Sequence, residues 1–414
     1  MTSTDPTTSP NAPDFAAQGV EILPDLVKFR REMHADPELG LENPRTQQRI
    51  LDALDGLPLE ITLGKRCSSV TAVLRGDLPG PTVLLRGDTD GLPGEELTDL
   101  PYAAKTGTMH ACGHDMHTAG LVGAAKLLSA NRDTLAGNVI FMFQPGEEGY
   151  AGAQVMIEEG VLDAAGDRPI GAYAIHVAPG PGGVFMTKTG AAAAGSNRMF
   201  VTIRGRGGHG SQPHLAIDPV VPAAEVILAI QHFVTRKFDA FDPVICSITQ
   251  VDTGGNAVNV IPETVKLGAT IRTLTAQSLD KIDEGLKRII TKTAEAHECT
   301  AEIEFHRLYP ATVNDDACTE LAINNMRSLL GPRRVMVAKS PMMGSEDFAF
   351  VLDEVPGTFV AMLATPKDMD PTKAEFNHSP RAVFDDGLLG DQAAVLAALA
   401  YGRLAQAAAA NQAN

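Results

Sequence analysis

Apolar positions along this chain recur with two different periods. Residues 15–34 carry the i, i+3, i+4 spacing of a helix, and two strand-like runs follow, SVTAVLRG (69–76) and TVLLRGD (82–88). The small-residue stretch HTAGLVGAAKLLSA (117–130) is helical in period. NVIFMFQ (138–144) and AYAIHV (172–177) are continuous apolar runs, which suits strands buried on both faces, and 152–162 between them has helical spacing. Strands that alternate with helices predict an α/β layer on a mostly parallel sheet.

The character changes at Ala191-Ala192-Ala193-Ala194-Gly195. A strand (198–204), a helix (218–237), strands at 244–252 and 263–274, a helix (278–298) and a strand (300–307) give the order β-α-β-β-α-β of a ferredoxin-like α+β unit. After Tyr309-Pro310 the first pattern resumes, with a helix (316–330), a strand (357–364) and a long Ala-rich helix near 387–410. The expected organisation is a tail at 1–14 that reads as disordered, a discontinuous first domain at 15–194 and 309–414, and an inserted domain at 195–308. No internal repeat is visible.

Composition narrows the function. A chain of 414 residues is long enough for two cores, and its formal net charge of −17 disfavours nucleic acid and anionic lipid as partners. No apolar run reads as a membrane span, and the polar first residues do not read as an export signal. The five cysteines, Cys67, Cys112, Cys246, Cys299 and Cys318, are odd in number and widely spaced. They predict no disulfide framework and a reducing, cytoplasmic setting, in which a thiolate can bind metal.

The chemistry concentrates at strand ends. His110-Ala111-Cys112-Gly113-His114-Asp115-Met116-His117 places a thiol and an imidazole either side of a glycine, in a turn able to aim both at one ion. The same stretch also reads as a polar cap, with Asp115 as N-cap of the helix from 117. Gln144-Pro145-Gly146-Glu147-Glu148-Gly149 follows a buried strand, at the mouth of the sheet where α/β proteins place their sites. His176 ends another strand, Arg86-Gly87-Asp88-Thr89-Asp90 a third, and His378 arrives late, in Asn377-His378-Ser379-Pro380. Together Cys112, His114, Glu148, His176 and His378 count as five ligands. With Cys112 bridging, each of two ions receives three protein ligands and keeps an open position. Glu147 is then the expected general base.

These motifs, with His34-Ala35-Asp36-Pro37-Glu38-Leu39-Gly40, Gly207-Gly208-His209-Gly210 through Pro213-His214, Asp218-Pro219, Asn259-Val260-Ile261-Pro262 and Gly344-Ser345-Glu346-Asp347-Phe348, resemble the metal-dependent aminoacylase and carboxypeptidase family. Within it they resemble the amidohydrolase branch of hippurate hydrolases and indoleacetyl-amino-acid hydrolases. The resemblance runs from about residue 20 to about 405. It implies a zinc-exopeptidase-like catalytic domain, hydrolysis of N-acyl amino acids, and two divalent ions (zinc or manganese, with cobalt or nickel also accepted). It assigns His114 and His176 to one ion and Glu148 and His378 to the other. It also implies that the insert is a lid through which the chain forms a homodimer. His209 would stabilise the oxyanion, Asn259 and Arg272 would bind substrate, and Asp90 would orient a ligand. Other branches place a histidine ligand where this chain has Asp88. Three rivals stand beside this reading: a dipeptidase or exopeptidase of the same family, a cysteine hydrolase using Cys112 and His114, and a non-catalytic ligand-binding homologue. The glycine-rich Gly205–Gly210 segment lacks the Lys-Ser/Thr of a phosphate loop.

Overall fold

The computed structural model describes residues 13–412, so most of the tail expected at 1–14 lies outside the described residues. Asp14 is described, and it is the N-cap of the first helix: its side chain accepts a hydrogen bond from the amide of Ala17 at 3.0 Å.

In chain order the main elements begin with α1 (Phe15–His34), α2 (Pro44–Leu54), β1 (Leu59–Leu63), β2 (Val70–Arg75), β3 (Leu78–Asp88) and α3 (His114–Ala130). They continue with β4 (Ala136–Gln144), α4 (Gly152–Glu158), β5 (Ala172–Ala178) and β6 (Val184–Thr187). Next come β7 (Gly195–Arg204), α5 (Val220–Lys237), β8 (Ile245–Asp252), β9 (Thr264–Thr273), α6 (Ala276–Ala296) and β10 (Thr300–Tyr309). The chain ends with α7 (Asp316–Leu330), β11 (Val335–Val337), α8 (Ala349–Glu354), β12 (Gly357–Leu363) and α9 (Leu389–Gln412).

Two compact units result. Of the described residues, one unit comprises 13–192, Val313–Ser340 and 347–412; the other comprises Ala193–Thr312 and Pro341–Glu346. The first unit is an α/β layer around an eight-stranded sheet of order β1-β2-β4-β3-β5-β12-β6-β11. The central pairs β4/β3, β3/β5 and β5/β12 are parallel, while β1/β2 and β2/β4 at one edge are antiparallel. Its strands read as unbroken apolar runs because both faces are covered. Val83, Leu85, Val139, Phe141 and Phe143 enter one core with α1, α3 and α9. Leu84, Ile140 and Met142, the residues between them, enter a second core with α4 and α8.

α9 is long and apolar enough, by length and composition alone, to cross a membrane, which the sequence reading did not anticipate. In the fold it lies in the first core: Leu389, Ala393, Leu396, Ala397, Leu399, Ala400 and Leu404 are all buried. A helix apolar on most sides is what a centrally packed position requires.

The second unit is an antiparallel sheet of order β8-β9-β7-β10, with α5 and α6 packed over a core of Met199, Val201, Ile203, Val226, Ile230, Ile282 and Leu286. With strands numbered in chain order this is 2-3-1-4, the ferredoxin-like arrangement.

Candidate metal centre

The carboxyl ends of the parallel strands β3, β4, β5 and β12 form one rim, and the chain leaves that rim carrying the predicted residues. Gly113 sits just before α3 with φ 84°, in the left-handed region, and acts as the N-cap. The helix therefore starts at His114, not at 117, and Asp115 is in its first turn rather than at its cap. Asp115 instead binds two cations from α1: Arg30 Nε at 2.5 Å and His34 Nδ1 at 2.8 Å.

The turn brings the five predicted ligands into two overlapping groups, Cys112–His114–His176 and Cys112–Glu148–His378, each with its donor atoms within 4.8 Å of one another. Cys112 Sγ is 3.4 Å from His176 Nε2 and 3.3 Å from His378 Nε2. His378 Nε2 lies 3.1 Å from Glu148 Oε1. His176 donates from Nδ1 to the carbonyl of Val177 at 2.8 Å, which leaves Nε2 facing the sulfur. His378 adopts φ 73°, a left-handed conformation rare outside glycine, and its amide donates to Ala111 O at 2.9 Å.

The electrostatics suit metal ligands. Burial pushes the Cys112 thiol up, but the positive field of His176 and the neighbouring imidazoles of His114, His176 and His378 bring it down to about 6. Hydrogen bonds to Cys112 and Glu148 outweigh burial and raise His378 to about 10. Burial raises the Glu148 carboxyl, but the hydrogen bond from His378 and the charges of His114 and His378 outweigh it and hold the group below its usual range. Neither ring nitrogen of the fully buried His114 has a hydrogen-bond partner among the described residues; the nearest carboxylate oxygens are on Asp90, at 3.4 Å, and Asp88, at 3.5 Å. An imidazole buried with two bare nitrogens beside a thiolate and a carboxylate fits a divalent ion of the zinc type.

Asp90 organises the glutamate turn. Its two oxygens accept the amides of Glu147 at 3.0 Å and of Glu148 at 3.1 Å. Glu147 is buried, and a carboxylate oxygen of it groups with Glu148 and a ring nitrogen of His114 within 4.8 Å. His209, Asn259 and Arg272 belong to the other unit. There, His209 pairs with Val260 across a short ladder, and Asn259 O accepts the amide of Gly210 at 2.8 Å. His209 Nδ1 accepts from the Ser211 amide at 3.1 Å, so a neutral His209 carries its proton on Nε2. Arg272 stands on β9 with a buried Nη1 that has no hydrogen-bond partner among the described residues.

Several residues of the site escaped the sequence reading. His117 donates from Nδ1 to Asp88 Oδ1 at 2.5 Å and accepts the Val177 amide on Nε2 at 2.8 Å, so both its nitrogens are committed. Burial lowers its pKa to about 3 against the pull of Asp88. Asp88 is held in turn by Arg86 Nη1 at 2.7 Å, and Arg86 also reaches Asp347 and Gln144. Asn377 ties the ligand segments together. The one signal available was position: Asp88 and His117 lie within quoted motifs, and Asn377 precedes a predicted ligand.

Residues 84–402 match the model of the peptidase family M20/M25/M40. The chain is 37% identical over 383 residues to an IAA-amino acid hydrolase ILR1-like 5 of Arabidopsis thaliana, covering 91% of this chain and 86% of that protein. It is 36% identical over 347 residues to an N-acetyl-L-cysteine deacetylase of Bacillus subtilis, covering 83% and 81%. A solved structure from Bacillus subtilis, described as a dinuclear metal binding peptidase of the M20 family, superposes with a TM-score of 0.80 at 30% identity, over 93% of this chain and 99% of that one.

Proposed function

The chain belongs to the peptidase family M20/M25/M40, and from that membership we propose that it hydrolyses the amide bond of N-acyl or aryl-acyl amino acids with two divalent ions at its active site. The observation that carries the reading is the pair of donor groups sharing Cys112, with Glu147 buried beside them. The chain's similarity to a hydrolase of amino-acid conjugates and to an N-acetyl amino acid deacetylase supports the substrate class.

His114 and His176 would hold one ion, Glu148 and His378 the other, and the Cys112 thiolate would bridge them. When bound, the ions supply Lewis-acid activation of water and of the scissile carbonyl. Glu147 takes the proton from the attacking water onto its carboxylate and returns it to the nitrogen of the departing amino acid. Asp90 keeps that base in place by accepting both amides of the turn. His209, with a proton on Nε2, has the donor an oxyanion needs, and we assign it that role in the active site of a partner copy within a homodimer formed through the second unit. Asn259 and Arg272 are assigned to the substrate's amide and carboxylate. The guanidinium of Arg272, with a bare Nη1, suits carboxylate binding.

The deciding experiment assays acyl amino acids, aryl-acyl amino acids and dipeptides, with zinc, manganese, cobalt or nickel defined, by amine release. Faster turnover of acyl amino acids than of dipeptides is expected, and the reverse order would make the chain a dipeptidase. A strictly monomeric enzyme with full activity, seen by sedimentation, would remove His209 from the partner's site.

A further inference from the structure

Cys112, His176 and His378 stand on three segments far apart in sequence, and one side chain, carried on the third segment, binds the other two. Asn377 Nδ2 donates to the Cys112 carbonyl at 3.1 Å and to the Val177 carbonyl at 3.0 Å, and it lies 3.8 Å from Cys112 Sγ. Both near acceptors are backbone carbonyls, which cannot donate. The amide can therefore sit only with its nitrogen toward them, and both its N–H groups are used.

Each bond acts next to a ligand. The Val177 carbonyl is the same atom that receives His176 Nδ1 and so turns His176 Nε2 toward the sulfur. The Cys112 carbonyl fixes the peptide from which the thiol projects. Asn377 itself precedes His378, whose amide docks on Ala111 O at 2.9 Å. The 377–378 segment is thus pinned to the cysteine turn at two successive carbonyls, which places His378 against Sγ despite its left-handed backbone.

We propose that Asn377 is a positioning residue of the two-ion site, setting the mutual geometry of Cys112, His176 and His378 before any ion arrives. The inference rests on the reading of those three as ligands. It adds a residue that is not itself a ligand and that acts through the two carbonyls.

The test is metal affinity of the full chain, read by competition with a chromophoric chelator for Zn2+, and the thiolate-to-cobalt charge-transfer band after loading with Co2+. Asn377→Leu keeps the approximate shape and removes both donors. A ten- to hundredfold loss of zinc affinity is expected, about the size seen when groups that orient metal ligands are removed, together with an altered cobalt band. Asn377→Ser keeps a single donor and should fall between, and it decides the matter if the leucine variant does not fold. The unfolding midpoint of the metal-free protein separates scaffolding from positioning, since scaffolding alone lowers the midpoint and leaves affinity and band unchanged. Wild-type affinity and an unchanged band in a folded variant, with wild type binding two ions, would overturn the role of Asn377 alone. A wild-type chain that binds no ion would overturn the two-ion reading and this inference with it.

Discussion

Glu147 and Glu148 are neighbours in sequence with opposite surroundings. Glu148 lies against His378, whose hydrogen bond and charge, with the charge of His114, outweigh burial and hold its carboxyl below the usual range, while Glu147 is buried with its amide fixed by Asp90. The first is suited to bind an ion and the second to carry a proton. Glu147→Gln preserves shape and removes the base, so kcat for amine release should drop by about 10²–10⁴-fold with metal content unchanged; undiminished turnover would rule the residue out. A second residue-scale prediction concerns His34, whose two nitrogens face carboxylates, Asp115 at 2.8 Å and Glu96 at 3.1 Å. Burial lowers its pKa, but the charge and hydrogen bond of Asp115 and the hydrogen bond to Glu96 outweigh it, and the net shift is upward. A raised pKa means the imidazolium's contribution is complete below the ordinary histidine pKa and is lost as pH climbs through the folded value. His34→Gln should cost about 3 kcal/mol, the scale of a broken buried ion pair. In urea unfolding, the gap from wild type should be widest near pH 6 and narrow at alkaline pH. A gap that widens with pH would contradict a charged His34.

At the scale of elements, periodicity carried the fold because burial on two faces leaves a local trace. Val83, Leu84 and Leu85 point into alternate cores, so β3 reads as a solid apolar run, and strand ends reveal themselves where polar residues interrupt such runs. The start of α3 was less legible. Its cap is a left-handed glycine, which lacks the Ser, Thr, Asp or Asn signature, so Asp115 drew the role instead. The distant partners of Arg86 and Asn377 were illegible for another reason. Arg86 meets Asp347 across 261 residues and Asn377 meets Cys112 across 265, and no local period records such pairings. Gly113 joins the two levels. At φ 84° any side chain is strained, and a Cβ there would run into Val177 Cγ2, beside His176. Gly113→Ala should destabilise the chain by about 2 kcal/mol through left-handed strain and overpacking. It should also lower bound metal, because backing α3 away from Val177 and Phe384 carries His114, its first residue, along. Thermal unfolding and metal analysis check both parts, and a variant with full metal content would show that the turn tolerates the added carbon.

For the molecule as a whole, the two units have separate cores, and every assigned ligand belongs to the first unit, while His209, Asn259 and Arg272 belong to the second. Ions that bind only the folded site stabilise it by mass action, about 2.7 kcal/mol for each when free metal is a hundredfold above Kd. Chelation should therefore remove activity and loosen the first unit preferentially. Amide exchange should accelerate in α3 and around Glu147, His176 and His378, while α5, α6 and the sheet β7–β10 keep their protection. Restoring zinc, manganese or cobalt should return both activity and protection. The same experiment weighs the cysteine-nucleophile alternative. With its pKa near 6, Cys112 is largely thiolate at neutral pH, so stripping metal leaves a potential nucleophile among three histidines. A thiol hydrolase would keep working in that state. The geometry argues that this chain will not: among the described residues His114 has no hydrogen-bond partner that would orient it as a base, and the Glu147 turn stands beside the thiolate as a separate carboxylate. Activity retained in protein shown by metal analysis to be free of ions would transfer the chemistry from Glu147 to Cys112.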